Sequence, residues 1–391
     1  MIDDAGGFGV YVHWPYCARI CPYCDFNVRK QTEIDEAAWA EAFARDLAWQ
    51  RRRTGPVRAG SVYFGGGTPS LAPPSLIARI IDEADRLWGF DDAPEITLEA
   101  NPNDIDAVAL ATWRAAGVNR LSIGVQSFAD DALAFLGRDH DGAAARRAVG
   151  LALADMPKSS FDLIYALPRQ CPADWRAALA DALALEPRHL SLYQLTIEAG
   201  TAFARQVDAR RWRPPDDDAT ADLYDVAQQV CGEAGLPAYE VSNHAGDADQ
   251  SKHNLVYWRF GQYAGVGPGA HGRFHSDGRR IAVEAERDPA RWLARVATTG
   301  SGAASEEVLL REAAEAEFLT FGLRLSEGVL LSRWRAVAER APPHTEIEAL
   351  TSDGLLIREG DRLRATADGR QVLNSLTTAL LLADRDAPAK A

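Results

Sequence analysis

Six short β-rich runs recur through the first half of the chain, each followed by helix-like sequence. They are "GVYVHW" from Gly9, "SVYF" from Ser61, "EITLEA" from Glu95, "RLSIGV" from Arg120, "FDLIY" from Phe161 and "HLSLYQL" from His189. Residues 35–53, "SLIARIIDEADRL", "DAVALATWRAAG" and "DWRAALADALAL" carry apolar residues at helical spacing among Ala and charge. Ser75, Asp104 and Asp174 stand where N-caps are expected. Strand–helix alternation of this kind predicts an α/β fold with a parallel sheet and helices packed outside it. The strand runs read as continuously apolar, as for strands buried on both faces. "GGGTP", "EANP", "GVQ" and "DLIYALP" put glycine and polar residues at strand C-terminal ends. A barrel gathers such ends into one mouth, whereas an open sheet spreads them along a crevice. We therefore expect a curved, partly closed barrel.

The pattern changes after about residue 215. "PAYEVSNHAG" reads as one more strand, and "HNLVYWRFGQYAGVGPGAHG" as a glycine- and aromatic-rich loop. From about Glu306 the sequence turns mainly helical, and "DGLLIREGDRLRATADG" reads as a helix end followed by a hairpin. That order predicts a winged-helix-like C-terminal module. The expected division is residues 1–235 for the barrel, 236–304 for an extension carrying the aromatic loop, and 305–391 for the C-terminal domain. The tail "LLADRDAPAKA" is expected to fray.

The net charge of -14 argues against a nucleic-acid backbone or an anionic membrane as the main partner. The C-terminal module carries no dense basic run, so its shape is not read as DNA-binding. Five cysteines in 391 residues do not make a disulfide framework. No secretory signal precedes "GVYVHW", and no apolar run reaches the ~18 residues of a membrane span. The expected location is a reducing cytoplasm, with any membrane attachment supplied by a partner.

Three of the five cysteines, Cys17, Cys21 and Cys24, fall in "HWPYCARICPYCDF" at C-x3-C-x2-C spacing. Three soft thiolates on one loop can hold iron–sulfur iron or zinc. Structural zinc wants four ligands, usually as paired C-x2-C knuckles, and there is no second pair here. A redox C-x2-C disulfide would leave Cys17 without a role. The spacing fits best a [4Fe–4S] cluster with three protein ligands and one open iron, with zinc as the alternative reading.

C-x3-C-x-aromatic-C resembles the signature of the radical SAM superfamily. The resemblance implies a partial (β/α)6 barrel with S-adenosylmethionine (SAM) on the open iron, cleaved by an electron from the cluster. It also implies site residues. Gly66, Gly67 and Thr68 of "YFGGGTPS" would cradle the methionine end, with their N–H groups able to receive a carboxylate. Tyr23 would lie near the adenine, Tyr11 would flank the cofactor, and Glu99 of "LEANP" would bond the ribose hydroxyls. Gln126, Arg138 and Asp162 match further SAM-contacting positions in the porphyrin-related branch.

Within that superfamily, "VHWPYCARICPYCDFN", "GGGTPSL", "RLSIGVQSF", "FDLIYALP", "HLSLYQLTIE" and "HNLVYWRFGQYAGVGPGAHG" resemble the HemW family of heme chaperones over nearly the full length. These are relatives of the oxygen-independent coproporphyrinogen III oxidase, which is the alternative reading. The oxidase resembles C-x3-C-x2-C-x-C and has a longer N-terminal arm. Here Phe26 stands in place of the fourth cysteine, and Cys17 lies near the chain start. "HNLVYW", His253 to Trp258, matches the H-N-x-x-Y-W motif of the chaperones. Histidine is a common axial ligand to heme iron, and Tyr257 and Trp258 could stack on a porphyrin. His244 and His271 are alternative ligands. The implied function is to bind heme as cargo and deliver it to apo-proteins, such as respiratory-chain components at a membrane. The chain would act as a monomer or homodimer.

Overall fold

The structure, a computed structural model, describes residues 6–276 and 278–383; the first residues and most of the tail expected to fray lie outside the described residues. Six parallel strands form its centre: β1 Phe8–Trp14, β2 Ala59–Gly66, β3 Phe90–Ala100, β4 Arg120–Gln126, β5 Lys158–Tyr165 and β6 His189–Gln194. They lie side by side in chain order. β6 then pairs antiparallel with the short β7, Asn243–Ala245. β1 pairs in parallel with β8, Gln262–Val266. From β8 the sheet runs antiparallel through β9 His271–Ser276, β10 Arg279–Ala285 and β11 Ala303–Val308. The arc of six does not close on itself, because β8 and β7 occupy its two edges. It is the partial (β/α)6 barrel that the sequence predicts.

The strands are not apolar on both faces as expected; they alternate. Val10, Val12, Trp14, Val62, Phe64, Ile96, Leu98, Leu121, Ile123, Phe161, Leu163, Leu190 and Leu192 belong to one buried apolar cluster with the outer helices. These include α1 Glu36–Thr54, α2 Pro74–Trp88, α3 Ala107–Ala115, α4 Gly142–Asp155, α5 Pro172–Leu183 and α6 Asp217–Glu233. The intervening positions carry Gly9, Tyr11, His13, Ser61, Tyr63, Glu95, Thr97, Glu99, Arg120, Ser122, Ser160, Asp162, His189 and Ser191. Successive strand residues point to opposite faces. One face is therefore a hydrophobic core and the other a polar lumen, whose groups hydrogen-bond to one another.

Helix starts differ from expectation by a few residues. Pro73 precedes α2 without a side-chain cap, and Ser75 instead donates to Glu36. Asp106, not Asp104, caps α3 by accepting from the Ala109 N–H. At α5 the N-cap is Cys171, and Asp174 is the third helical residue, reaching back to the Cys171 N–H at 3.1 Å. "PAYEVSNHAG" yields only the three residues of β7.

Residues 253–272 are the largest correction. The expected loop is the helix α7, Lys252–Trp258, capped by Ser251, followed by β8 and the start of β9. Its glycines serve close backbone approach. A Cβ on Gly265 would stand 1.8 Å from the His271 carbonyl oxygen, and one on Gly261 2.6 Å from that of Gly6. The helical region expected from about Glu306 is preceded by the edge strand β11, and its first helix is Arg311–Gly322.

That helix, Leu331–Ala338, His344–Ser352 and Leu373–Leu382 enclose a second core around Phe318, Leu319, Trp334, Leu363 and Leu376. The expected hairpin is Leu356–Glu359 with Arg362–Ala365, joined by Val329–Leu330 into a three-stranded sheet. Helices followed by this small wing give the winged-helix-like module. No helix among the described residues is long and apolar enough to cross a membrane.

Candidate functional site

The C-terminal ends of the six strands surround a cavity of about 480 Å³. Of the residues singled out in the sequence, Cys17, Cys21, Tyr23, Cys24, Gly66, Gly67, Thr68, Glu99, Gln126, Arg138 and Asp162 all line it. They come from the loop after β1 and from the ends of β2, β3, β4 and β5, as the mouth of a barrel requires. A larger hollow of about 870 Å³ lies outside the barrel near Phe128, Phe135 and Trp175. It holds none of the cysteines and shares only Gln126 and Ile164 with the first, so the chemistry places the site in the smaller one.

The cysteine loop is pinned at both ends. Tyr16–Cys17 pairs with Arg29–Lys30 as a two-residue parallel ladder. His13 Nε2 lies 2.9 Å from the Asn27 carbonyl oxygen, and the Asn27 amide donates to the carbonyls of Pro268 (2.9 Å) and Arg287 (2.8 Å). Midway, the Phe203 N–H donates to the Pro22 carbonyl at 2.9 Å. All three cysteines are free thiols. Burial pushes Cys24 up to about 11 and raises Cys17 as well. Arg138 Nη1 lies 3.3 Å from Cys21 Sγ, and its Nη2 donates to the Gly124 carbonyl at 2.8 Å.

Among the described residues, no three His, Cys, Asp or Glu side chains converge closely enough to hold a single metal ion. A mononuclear zinc draws its sulfur ligands to about 2.3 Å. A four-iron cluster instead takes its cysteines on different irons, so the thiolates stand apart. Three free cysteines of one loop lining the same cavity fit that second donor set.

The glycine turn departs from its expected role. The N–H groups of Gly66, Gly67 and Thr68 donate to Glu99 Oε2 (3.2 Å) and to the Trp14 (2.7 Å) and Tyr16 (2.8 Å) carbonyls. None of the three remains to receive a carboxylate. The turn contributes shape instead. Gly66 has φ +107°, and a Cβ on Gly67 would stand 2.6 Å from the Tyr16 carbonyl oxygen.

Glu99 is held at both oxygens, since Oε1 accepts from the Tyr63 hydroxyl at 2.8 Å and Oε2 from Gly66. Burial still pushes its carboxyl up to about 7; Asp162 adds to the rise, while the two hydrogen bonds oppose it. Asp162 is pushed up to about 6, again chiefly by burial, against bonds from Ser191 and Ser122. Gln126 lines the mouth with φ +69° and a buried Oε1 that has no partner, a strained placement of the kind found at ligand sites. Tyr11 does not reach the cavity. Its hydroxyl shares a 3.1 Å hydrogen bond with His13 Nδ1, and its ring stacks on Tyr63.

Sequence reasoning missed Tyr63, His13 and Asn27, and also Tyr193, which lines the cavity. Period-two alternation from Tyr11 along β1 would have marked His13 as lumen-facing.

The heme-motif residues lie elsewhere. His253 is buried beneath the lumen, its Nδ1 2.8 Å from Ser61 Oγ and its Nε2 2.7 Å from the Tyr257 hydroxyl. Both ring nitrogens are engaged, which leaves none open to iron. Trp258 packs under the Arg324 guanidinium and against Phe321. His244 is buried beside Gln228, whereas His271 keeps an exposed ring 3.7 Å from Glu284.

A buried carboxylate with a raised pKa costs stability once it ionises. Below about pH 4.5 Glu99 is neutral in both folded and unfolded chains. Between there and about pH 7 the unfolded chain ionises first and stability falls. Glu99→Gln is therefore expected to raise the apoprotein's melting temperature at pH 8, by the equivalent of about 1–3 kcal/mol, and to leave it unchanged near pH 4.5. Thermal scans at the two pH values test this; equal effects at both would contradict the assignment.

Residues 11–182 match the model of the radical SAM superfamily, and residues 309–372 match the HemN C-terminal domain. The chain is similar to radical S-adenosyl methionine domain-containing protein 1, mitochondrial, of Danio rerio, at 38% identity over 95% of this chain and 86% of that one. It is 35% identical to the heme chaperone HemW of Mycobacterium tuberculosis over 96% of this chain and 95% of that one. HemW of Haemophilus influenzae is 41% identical over 68% of this chain and 70% of its own. In structure it is similar to the coproporphyrinogen III oxidase HemN of Escherichia coli, with a TM-score of 0.79, 20% identity, and coverage of 97% and 92%.

Proposed function

Because the chain belongs to the HemW family of the radical SAM superfamily, we propose that it takes up heme and passes it to apo-proteins, with a SAM-binding [4Fe–4S] cluster on Cys17, Cys21 and Cys24. The observation that carries this reading is the meeting of those three thiols with Glu99, Gln126, Arg138 and Asp162 around one cavity. When bound, the cluster supplies a low-potential electron and an open iron for SAM. The chain's own residues do the rest. Arg138 sets a cation 3.3 Å from Cys21 Sγ. Glu99 offers a carboxylate with both oxygens oriented, suited to the two hydroxyls of a ribose. Asp162 adds a second acceptor across the cavity.

Phe26 occupies the place of the oxidase's fourth cysteine and is 62% exposed at the mouth. It supports cargo handling over decarboxylation, since it offers an apolar face where the oxidase has a thiol. Of the three histidines considered for heme, His271 presents an accessible ring. Burial lowers its pKa, which favours the neutral imidazole that binds iron. We place heme contact there, in a cytoplasmic protein that meets membrane-bound acceptors through their own surfaces.

The test is anaerobic. The reconstituted protein is given coproporphyrinogen III, SAM and a reductant beside a working oxidase, and in parallel is titrated with heme. The expected result is no decarboxylated product and saturable heme binding, weakened about tenfold or more in His271→Ala by loss of an axial ligand. Product above background would make the protein an oxidase. Unchanged heme affinity in His271→Ala would remove that histidine as a ligand.

A further inference from the structure

The histidine motif at residues 253–258 is left without an open iron ligand, yet it is built into the centre of the molecule. His253 is 1% exposed and its ring is fixed on every side. Nδ1 meets Ser61 of β2, Nε2 meets Tyr257, and its backbone N–H donates to Glu95 Oε1 of β3 at 3.2 Å. The ring fills the space above Gly9, where a Cβ would stand 3.0 Å from Nδ1. Its free face stacks on Tyr63, with centroids 5.0 Å apart and planes 23° apart. Tyr63 in turn stacks on Tyr11 and spends its hydroxyl on Glu99 Oε1. Three groups thus stand in line, from the lumen floor to the cofactor cavity: His253, Tyr63, Glu99.

We infer that His253 and Tyr63 are positioning residues for the Glu99 carboxylate, so that this motif serves the SAM site and not iron ligation. The inference rests on the reading of Glu99 as the ribose-binding group. A carboxylate that must accept two ribose hydroxyls gains from having its plane preset, because a side chain free to rotate would lose conformational entropy on binding. Tyr63 sets that plane through one hydrogen bond, and it can do so only if its own ring is braced. Tyr11 and His253, whose own rings stack with centroids 6.4 Å apart, brace it together. The requirement on residue 253 is therefore a flat ring of about the right size, which a neutral buried imidazole meets.

The test measures SAM affinity and heme affinity on the same reconstituted full-length samples, across pH 6–9. Tyr63→Phe keeps the stack and removes the bond. It is expected to weaken SAM about tenfold, the scale of one hydrogen bond to a charged group, and to move the pH midpoint of SAM binding upward. His253→Ala removes the brace and should cost a similar factor. His253→Phe restores a flat ring and should recover SAM affinity to within about threefold of wild type. SAM affinity within twofold of wild type in both Tyr63→Phe and His253→Ala would overturn the inference. So would loss of heme binding in both His253 variants with SAM unaffected, since that is the signature of an iron ligand. If His253→Ala fails to fold, Tyr63→Phe decides alone. A wild-type protein that binds no SAM would remove the underlying reading together with the inference, a result distinct from wild-type binding with unaffected variants.

Discussion

Cys24→Ala is expected to abolish the cluster. Two thiolates, Cys17 and Cys21, would remain for a group that needs three, and no further cysteine among the described residues lines the cavity. Cys24 and Cys17 are held as thiols by burial, Cys24 with a pKa of about 11. The folded chain therefore does little to stabilise these two thiolates in advance; iron must displace the protons and provide that stabilisation itself. The Arg138 cation partly opposes the rise at Cys17 and contacts Cys21 Sγ at 3.3 Å. Iron content after anaerobic reconstitution should fall from about four per chain to a small residue, with loss of visible absorbance and of SAM binding. Cys171→Ala is the control, because Cys171 is exposed at the start of α5 and does not line the cavity. Four irons retained in Cys24→Ala would end the assignment of this loop to the cluster.

The arc of six parallel strands and its mouth were legible because each strand–helix unit carries its own local signal. The cysteine spacing marked the cavity, and the resemblance to the radical SAM superfamily supplied Glu99 and Asp162. What was not legible is the second face of the sheet. Tyr11, Tyr63 and Thr97 are residue types that β-strands favour, so "GVYVHW" or "SVYF" reads as a buried run whether its alternate members meet helices or a polar lumen. The difference lies in partners far away in sequence. Ser61 makes sense only with His253, and Glu95 only with Arg120, Ser251 and the His253 N–H. The misreading of 253–272 has the same origin. Gly261, Gly265 and Gly267 look like loop residues until β1 and β9 are set against them. Each then proves to be a place where another backbone passes too close for a Cβ.

Arg120→Met should be among the most destabilising single substitutions in the chain. Arg120 and Glu95 face each other across the lumen floor at 3.4 Å, each side chain 2% exposed. Arg120 also donates to the Asp249 carbonyl at 3.1 Å, while Glu95 accepts from Ser251 and from the His253 backbone. The pair thus ties β3 and β4 to the segment that leads into α7. Removing the cation alone strands a carboxylate in a closed interior, which typically costs about 3–5 kcal/mol. Replacing both partners removes the stranded charge along with the attraction, so Glu95→Gln with Arg120→Met should recover much of that loss. The measurement is a double-mutant cycle on urea midpoints, with a coupling of at least about 2 kcal/mol expected for neighbours of this kind. Strict additivity would mean that the two charges do not depend on each other. In that case the floor owes its stability to the packing of Tyr239, His189 and His253. The cycle also separates structure from site chemistry. The cysteine loop is anchored to β1 and the 267–270 turn rather than to this floor, so iron content should hold in the double variant while SAM affinity follows whatever displacement reaches His253.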